Sequence, residues 1–252
     1  MKVRQFIPFL ACLCLAVSFQ AAEFWQKKHY TTWSQKECQE LLTKSPWSLV
    51  FTDTTIYEPA TNIPSGASGS TPGQQRASLE PQTGEREIYL YFQFTLLTAK
   101  PIRMARGQMT LLKVPDAKAQ VEKMVNAPVA KEIVVQLSYS SQPPAISQIH
   151  DIQAFFLRAS QAEFKGGTTL ASSDKTVPIS GYVQPNDKTP YPLLIFARLD
   201  DSGQPYFTGK EKSLLLRCEC SIPIASKGTS VPFRMVVKME PKKMFFEDEF
   251  CL

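Results

Sequence analysis

Apolar residues at helical spacing mark the first element of the chain. Three of them recur three and four positions apart: Cys38, Leu41 and Leu42. Ser34 and Glu37 stand three apart just before this stripe, which is the spacing of a capping box in which each side chain binds the other residue's main-chain amide. Pro46 disfavours helical geometry in the residue before it. The sequence therefore predicts a short entry helix that packs through one apolar face.

Alternating or continuous apolar runs predict strands over much of the remaining chain. Clusters rich in Gly, Pro, Asp and Ser separate these runs and are typical of turns. The predicted strands are 48–57, 88–98, 131–140, 162–171, 177–183, 193–199, 213–220, 231–238 and 243–251.

Further helices are predicted between these strands. Pro101 fits the first position of one helix, Asp116 would cap a second that ends before Pro128, and Asp151 would cap a third over 152–160. The region from 88 to 140 thus has the order strand, helix, helix, strand, and a parallel pairing of its strands would need a right-handed crossover. The fold class predicted is α+β, with one or two mainly antiparallel sheets and a few helices on one face.

The segment from Glu58 to Arg86 changes composition. It contains PSGASGSTPGQQ, which is rich in Gly, Ser, Pro and Thr and has no apolar period. Such a composition buries too little apolar surface to offset the entropy of ordering. We therefore expect one α+β domain over 23–252 that carries a mobile surface loop at 58–86.

The first residues resemble a secretory leader. Lys2 and Arg4 precede an apolar run over 6–17, and Ala21 and Ala22 follow as small residues for cleavage. A membrane span needs about 20 apolar residues, and this run is shorter. We expect 1–22 to be a signal peptide and the protein to be secreted or periplasmic; a retained N-terminal anchor is the alternative.

Charge and hydropathy narrow the functional class. Loss of the leader would lower the formal net charge from +5 to +3, and the remaining charges are interspersed without long runs of one sign. Nucleic-acid-binding chains cluster basic residues in patches, so we expect no nucleic-acid partner. No second long apolar segment follows the leader, so we expect no membrane span after its removal.

Four cysteines follow the leader: Cys38, Cys218, Cys220 and Cys251. In an exported chain an even number favours disulfides. Cys218 and Cys220 stand two residues apart on a predicted strand. Their α-carbons would therefore lie at or beyond the usual distance for a disulfide, so a bond between them is not expected. We expect any bridge to join Cys251 or Cys38 to this pair, with Cys220–Cys251 as first choice. A soft-metal site on Cys218 and Cys220 is the functional alternative.

A resemblance to a known family rests on four stretches. They are WSQKECQELLTKSPW, TAKPIRMA, LLIFAR and the terminal FRMVVKMEPKKMFFEDEFCL. Together they resemble a family of uncharacterised exported bacterial proteins, in which a tryptophan-led helix ending in SPW follows the leader and an alternating strand closes the chain. The resemblance implies export and a compact domain. It implies no activity and no site residues.

Catalytic motifs are scarce. The chain has two histidines and no GxSxG nucleophile elbow. His150 beside Asp151 is the better candidate for a catalytic pair, because a carboxylate can orient an imidazole. Neighbours in sequence rarely point at each other, however, and Asp151 is predicted to cap a helix.

Metal and cofactor motifs are also missing from the sequence. There is no HExxH, EF-hand loop or glycine-rich phosphate motif, so no metal or cofactor is expected. The acidic run 247–249 could hold a cation, but a solvated sheet edge is favoured. Arg103 and Arg106 could hold an anion on a helix face, although a solvated face is the simpler interpretation. Tyr89 and Tyr91, with the neighbouring phenylalanines, could line a groove, but core packing is favoured.

Two function classes remain. The favoured one is an exported, non-catalytic protein that binds an unknown protein or envelope ligand, or has a structural role at the cell envelope. The alternative is a hydrolase with a dispersed site that uses His150. Whether the protein is an enzyme stays open at this stage, and the absence of motifs favours binding.

Overall fold

A computed structural model describes residues 24–59, 85–142, 147–225 and 228–252. The predicted leader and residues 60–84 of the predicted loop lie outside the described residues. The two ends of that predicted loop are strand, because Glu58 pairs with Arg86 and Pro59 pairs with Glu85. The first hairpin is therefore longer than the sequence pattern indicates.

Five α-helices lie within the described residues: α1 (Phe24–Lys27), α2 (Gln35–Thr43), α3 (Lys100–Lys113), α4 (Lys118–Val125) and α5 (Ser147–Arg158). The predicted capping box is confirmed at α2, where the Glu37 amide donates to Ser34 Oγ and the Ser34 amide donates to Glu37 Oε2. None of the helices in the described parts of the chain is long and apolar enough to cross a membrane.

Ten strands accompany them: β1 (Ser48–Pro59), β2 (Glu85–Leu96), β3 (Glu132–Gln142), β4 (Thr169–Ala171), β5 (Thr176–Val183), β6 (Leu193–Ala197), β7 (Leu214–Ile224), β8 (Thr229–Met239), β9 (Phe245–Phe246) and β10 (Glu249–Phe250). Eight form one sheet in the order β1-β2-β3-β6-β5-β4-β7-β8, with antiparallel pairing throughout. The β9–β10 hairpin forms a second, two-stranded sheet.

The main sheet is curved and nearly barrel-shaped. Its edge strands β1 and β8 approach each other, although they are not hydrogen-bonded neighbours. The α+β class is confirmed, but the prediction of one or two sheets with a few helices on one face is wrong, because eight strands form one nearly barrel-shaped sheet. Both α2 and α4 pack on α3, while α5 packs separately against β3 and β7.

Apolar side chains from the concave face fill the interior. In β7 every even-numbered residue from Leu214 to Ile224 is buried, as the period of two in a half-buried strand requires. Phe92 of β2 contacts Phe233 of β8 with ring centroids 5.5 Å apart, so the two ends of the sheet share one core.

Several local predictions are wrong for identifiable reasons. Asp116 lies in a single 3-10 turn (Pro115–Ala117) and does not cap α4. Asp151 lies inside α5, because that helix begins earlier, at Ser147. The predicted strand 243–251 is a turn followed by the β9–β10 hairpin. The paired strands β2 and β3 are antiparallel, so no crossover arises.

Candidate functional site

A groove runs between α5 and the edge of β7 that lies away from β8. It consists of two adjoining cavities of about 410 Å³ and about 430 Å³, which share Phe155, Arg158 and Pro223. We call this feature the α5–β7 groove. Its remaining lining residues are Asp151, Ala154, Ala159, Glu163, Ser221, Ile224, Ala225, Gly228, Thr229 and Ser230.

The amphipathic pattern of α5 provides one wall. Ile152 and Phe156 are buried against the sheet, while Asp151, Phe155 and Arg158 are spaced three and four residues apart and line the groove. The helix is therefore held by its apolar face and presents a mixed apolar and charged face to the cavity.

Strand β5 and the residue after it fix the end of α5. The Tyr182 hydroxyl donates to the Phe156 carbonyl at 2.8 Å, and the Gln184 side-chain amide donates to the Ala159 carbonyl at 2.9 Å. The last carbonyls of a helix have no partner within it, so these two donors satisfy groups that would otherwise need water. The position of Arg158 is thereby set by hydrogen bonds at the end of its own helix.

The second wall is an uncovered part of the β7 edge. Strand β4 covers β7 only from Leu215 to Arg217. Beyond that, the Glu219 amide donates to Thr168 Oγ1 at 3.2 Å, and the Ala225 amide donates to Asp151 Oδ2 at 3.0 Å. Thr168 directly precedes β4, so its bond to Glu219 shows that this odd-numbered residue of β7 directs its main-chain groups away from β8.

Ser221 and Pro223 lie between those two positions. Main-chain directions alternate along a strand, so both residues also direct their polar groups into the groove. The pairing with β8 agrees, since Ser221 lies opposite Pro232, which has no amide hydrogen to donate. The groove therefore presents one amide, from Ser221, and two carbonyls, from Ser221 and Pro223. No described side chain binds these three groups.

The charged groups of the groove differ in whether they are already bound. Asp151 accepts the Ala225 amide. Glu163 accepts the hydroxyl and the amide of Ser160, and the hydroxyl bond in particular lowers the pKa of the Glu163 carboxyl. Arg158 donates through Nε to the Ala154 carbonyl at 3.1 Å and forms no ion pair with any described residue. Its two terminal nitrogens remain available to an anion.

The structure does not join His150 and Asp151 into a catalytic pair. His150 is exposed, lies outside the groove lining and forms no hydrogen bond to another described residue, while Asp151 binds the Ala225 amide. Consecutive helix positions point about 100° apart, which separates the two side chains. The groove thus has no imidazole in its described lining.

The cysteines do not form the expected bridge. Cys38, Cys218, Cys220 and Cys251 are all free and buried. The thiols of Cys218 and Cys220 form a hydrogen bond with each other. This hydrogen bond, together with burial, raises the pKa of Cys220. Cys251 lies instead beside Lys100 and Arg103. The first-choice pair, Cys220–Cys251, is therefore not bonded in this structure.

Other candidate groups have structural partners. Arg103 Nη1 donates to the carbonyls of Met124 and Ala127 at the end of α4. The expectation that Arg103 lies on a solvated face is therefore wrong. The acidic pair Glu247 and Asp248 forms the β9–β10 turn. Among the described residues no group of three or more His, Cys, Asp or Glu side chains could hold a metal ion.

The aromatic residues of β2 divide between the two faces of the sheet. Phe92 and Phe94 are buried in the core, as favoured. Tyr91 lines a cavity of about 330 Å³ with Tyr139 and Tyr191, and its hydroxyl donates to Gln142 Oε1 at 3.3 Å. This cavity contains no charged side chain among its lining residues.

Comparison with known proteins does not add a family or a fold relative. No protein-family model, curated protein or solved structure matches this chain. The α5–β7 groove is therefore the site that the residues themselves support, on the strength of one unpaired cation and one uncovered strand edge.

Proposed function

We propose that the protein is exported and acts as a non-catalytic binding protein at the cell envelope, with the α5–β7 groove as its binding surface. The observation that carries this proposal is the contrast within the groove. Its two acids, Asp151 and Glu163, are bound to the protein's own amides, whereas Arg158 and the main-chain groups of Ser221 and Pro223 are open. Open hydrogen-bonding groups beside an unpaired guanidinium suit the binding of a ligand.

Export rests on the leader-like residues and on the resemblance to exported bacterial proteins. Cell fractionation with N-terminal sequencing tests it. We expect a mature chain that begins near Glu23 in the periplasm or medium. A cytoplasmic protein that begins at Met1 would contradict this part of the proposal.

The groove is tested by photo-crosslinking in envelope extracts. A benzoylphenylalanine at Phe155, which lines both cavities, is compared with one at Leu157, which is exposed on the same helix outside the groove lining. We expect covalent adducts from position 155 and not from position 157. Equal yields at both positions, or adducts at neither, would contradict the assignment of the groove.

A further inference from the structure

We propose that the occupant of the α5–β7 groove is an extended peptide segment that adds as a short strand beside Ser221–Pro223 and places an acidic side chain on Arg158. The inference rests on the proposed function and specifies the partner's chemistry. Strand addition is a recurring mode of peptide recognition in which main-chain hydrogen bonds supply affinity and side-chain pockets supply specificity.

The main-chain groups define what can bind. The Ser221 amide requires an acceptor, and the Ser221 and Pro223 carbonyls require donors. An extended peptide supplies both from residues two apart, with the same spacing as along β7. The window is closed at one end by Thr168, which binds the Glu219 amide, and at the other by Asp151, which binds the Ala225 amide.

The short window also excludes a long added strand. Pro223 supplies no amide hydrogen, so a continuous strand from another protein would leave one carbonyl opposite it without a donor. Proline and short unpaired stretches are devices by which proteins limit unspecific edge pairing. A peptide of a few residues can bind the three open groups of β7, whereas a longer strand would meet the Glu219 and Ala225 amides, which are already bound.

Charge and burial select the side chains. Arg158 is the one cation among the described lining residues of both cavities, and its guanidinium keeps two terminal nitrogens free after Nε binds the Ala154 carbonyl. A guanidinium fork matches a carboxylate in bidentate geometry. Phe155 and Pro223 provide apolar surface on either side. The expected segment therefore alternates an acidic residue with apolar or β-branched ones.

Selection of short random peptides displayed on phage, against the purified protein, tests the proposal. We expect enriched sequences with Asp or Glu next to β-branched residues. Synthetic copies should bind about tenfold more weakly to Arg158→Gln, because a hydrogen bond to a charged group is lost. Arg217→Gln is the matched control. Arg217 is exposed on β7, the strand that carries Ser221 and Pro223, but it does not line the groove.

Two further measurements separate strand addition from simple charge attraction. N-methylation of the peptide amides should abolish binding, and hydrogen exchange at the Ser221 amide should slow when the peptide binds. The proposal is overturned if no peptide is enriched, if Arg158→Gln and Arg217→Gln weaken binding equally, or if the Ser221 amide is protected by dimerisation of the protein alone. If photo-crosslinking at Phe155 then captures a ligand that is not a peptide, the binding function stands and only the partner class fails.

Discussion

The indole of Trp47 donates a hydrogen bond to the main-chain carbonyl of Cys251 across 204 residues of sequence, at 2.6 Å between Nε1 and O. Trp47 is fully buried just before β1, and its own carbonyl accepts the Leu96 amide at the end of β2. The indole therefore connects the first hairpin of the main sheet to the segment that follows the β9–β10 hairpin.

Replacement of Trp47 by Phe should destabilise the protein more than loss of ring volume alone. The substitution leaves the Cys251 carbonyl without this donor, which costs about 1–3 kcal/mol for a buried group. Trp25→Phe is the control, because Trp25 is also buried but its indole donates to no described residue. Urea unfolding measures both free energies. Equal losses in the two variants would show that the Trp47 hydrogen bond contributes nothing.

The turn of the β9–β10 hairpin offers a stabilising substitution. Glu247 and Asp248 both have positive φ, 50° and 62°, as a two-residue type I′ loop requires. Side chains with a Cβ are strained in this region, so Asp248→Gly should raise the free energy of unfolding by up to about 1 kcal/mol. Thermal unfolding measures the gain.

Asp248→Ala distinguishes backbone strain from charge repulsion within the acidic run. Alanine removes the carboxylate and keeps the Cβ, so the strain hypothesis expects no stabilisation from it. If alanine stabilises as much as glycine, repulsion among the neighbouring carboxylates is the cause and the strain argument fails.

The sequence predicts those parts of the fold that local rules decide. The α2 capping box depends on two side chains three residues apart, and the apolar period of β7 depends on burial of one face, so both are visible without coordinates. Assembly of one sheet depends on pairings such as β3 with β6, in which Glu132 pairs with the sequence-distant Ala197 and which leave no local signal. The β9–β10 hairpin was missed because its turn has Glu-Asp in place of the usual Asn or Gly.

The candidate site was predictable only in part. The sequence indicates His150 and Asp151 as a titratable pair; of the two only Asp151 lines the groove, and it binds the Ala225 amide. Phe155 and Arg158 share the helical spacing of Asp151, so that face could have been found from the pattern. The uncovered edge of β7 could not have been found from the pattern. The predicted strand ends at Cys220, before Pro223, and the short length over which β4 covers β7 depends on tertiary pairing.

Helices α3 and α4 approach each other closely at Gly107. A Cβ added there would lie 2.7 Å from Val121 Cγ1, which is closer than packed atoms tolerate. Gly107→Ala should therefore destabilise the protein by about 1–3 kcal/mol through overpacking, although alanine favours helices intrinsically. Gly166→Ala is the control, since its added Cβ would meet no atom within 4 Å. A Gly107 variant as stable as the Gly166 variant would contradict this helix contact.

The state of the cysteines is a direct test of the core. All four described cysteines are free in the structure, so each of them should react as a thiol in the denatured protein without reductant. Non-reducing peptide mapping should find no linked cysteine peptides. A Cys220–Cys251 peptide would instead support the bridge expected from the sequence, and would require these two segments to move together.

Alkaline pH should destabilise the protein through its buried thiols. Burial is the main cause that raises the pKa of Cys38 and of Cys251 from 9.0 to about 11. The folded protein then retains protons that the unfolded chain releases, so this stabilisation is complete below pH 9.0 and is lost as the pH rises to about 11. Burial also raises the pKa of Tyr139 from 10.0 to about 12, and this adds to the slope mainly as the pH approaches 10. The free energy of unfolding in urea should fall across that interval, and less steeply in Cys38→Ala, which has one titrating thiol fewer. An unchanged slope in the variant would show that ionisation of Cys38 is not linked to folding.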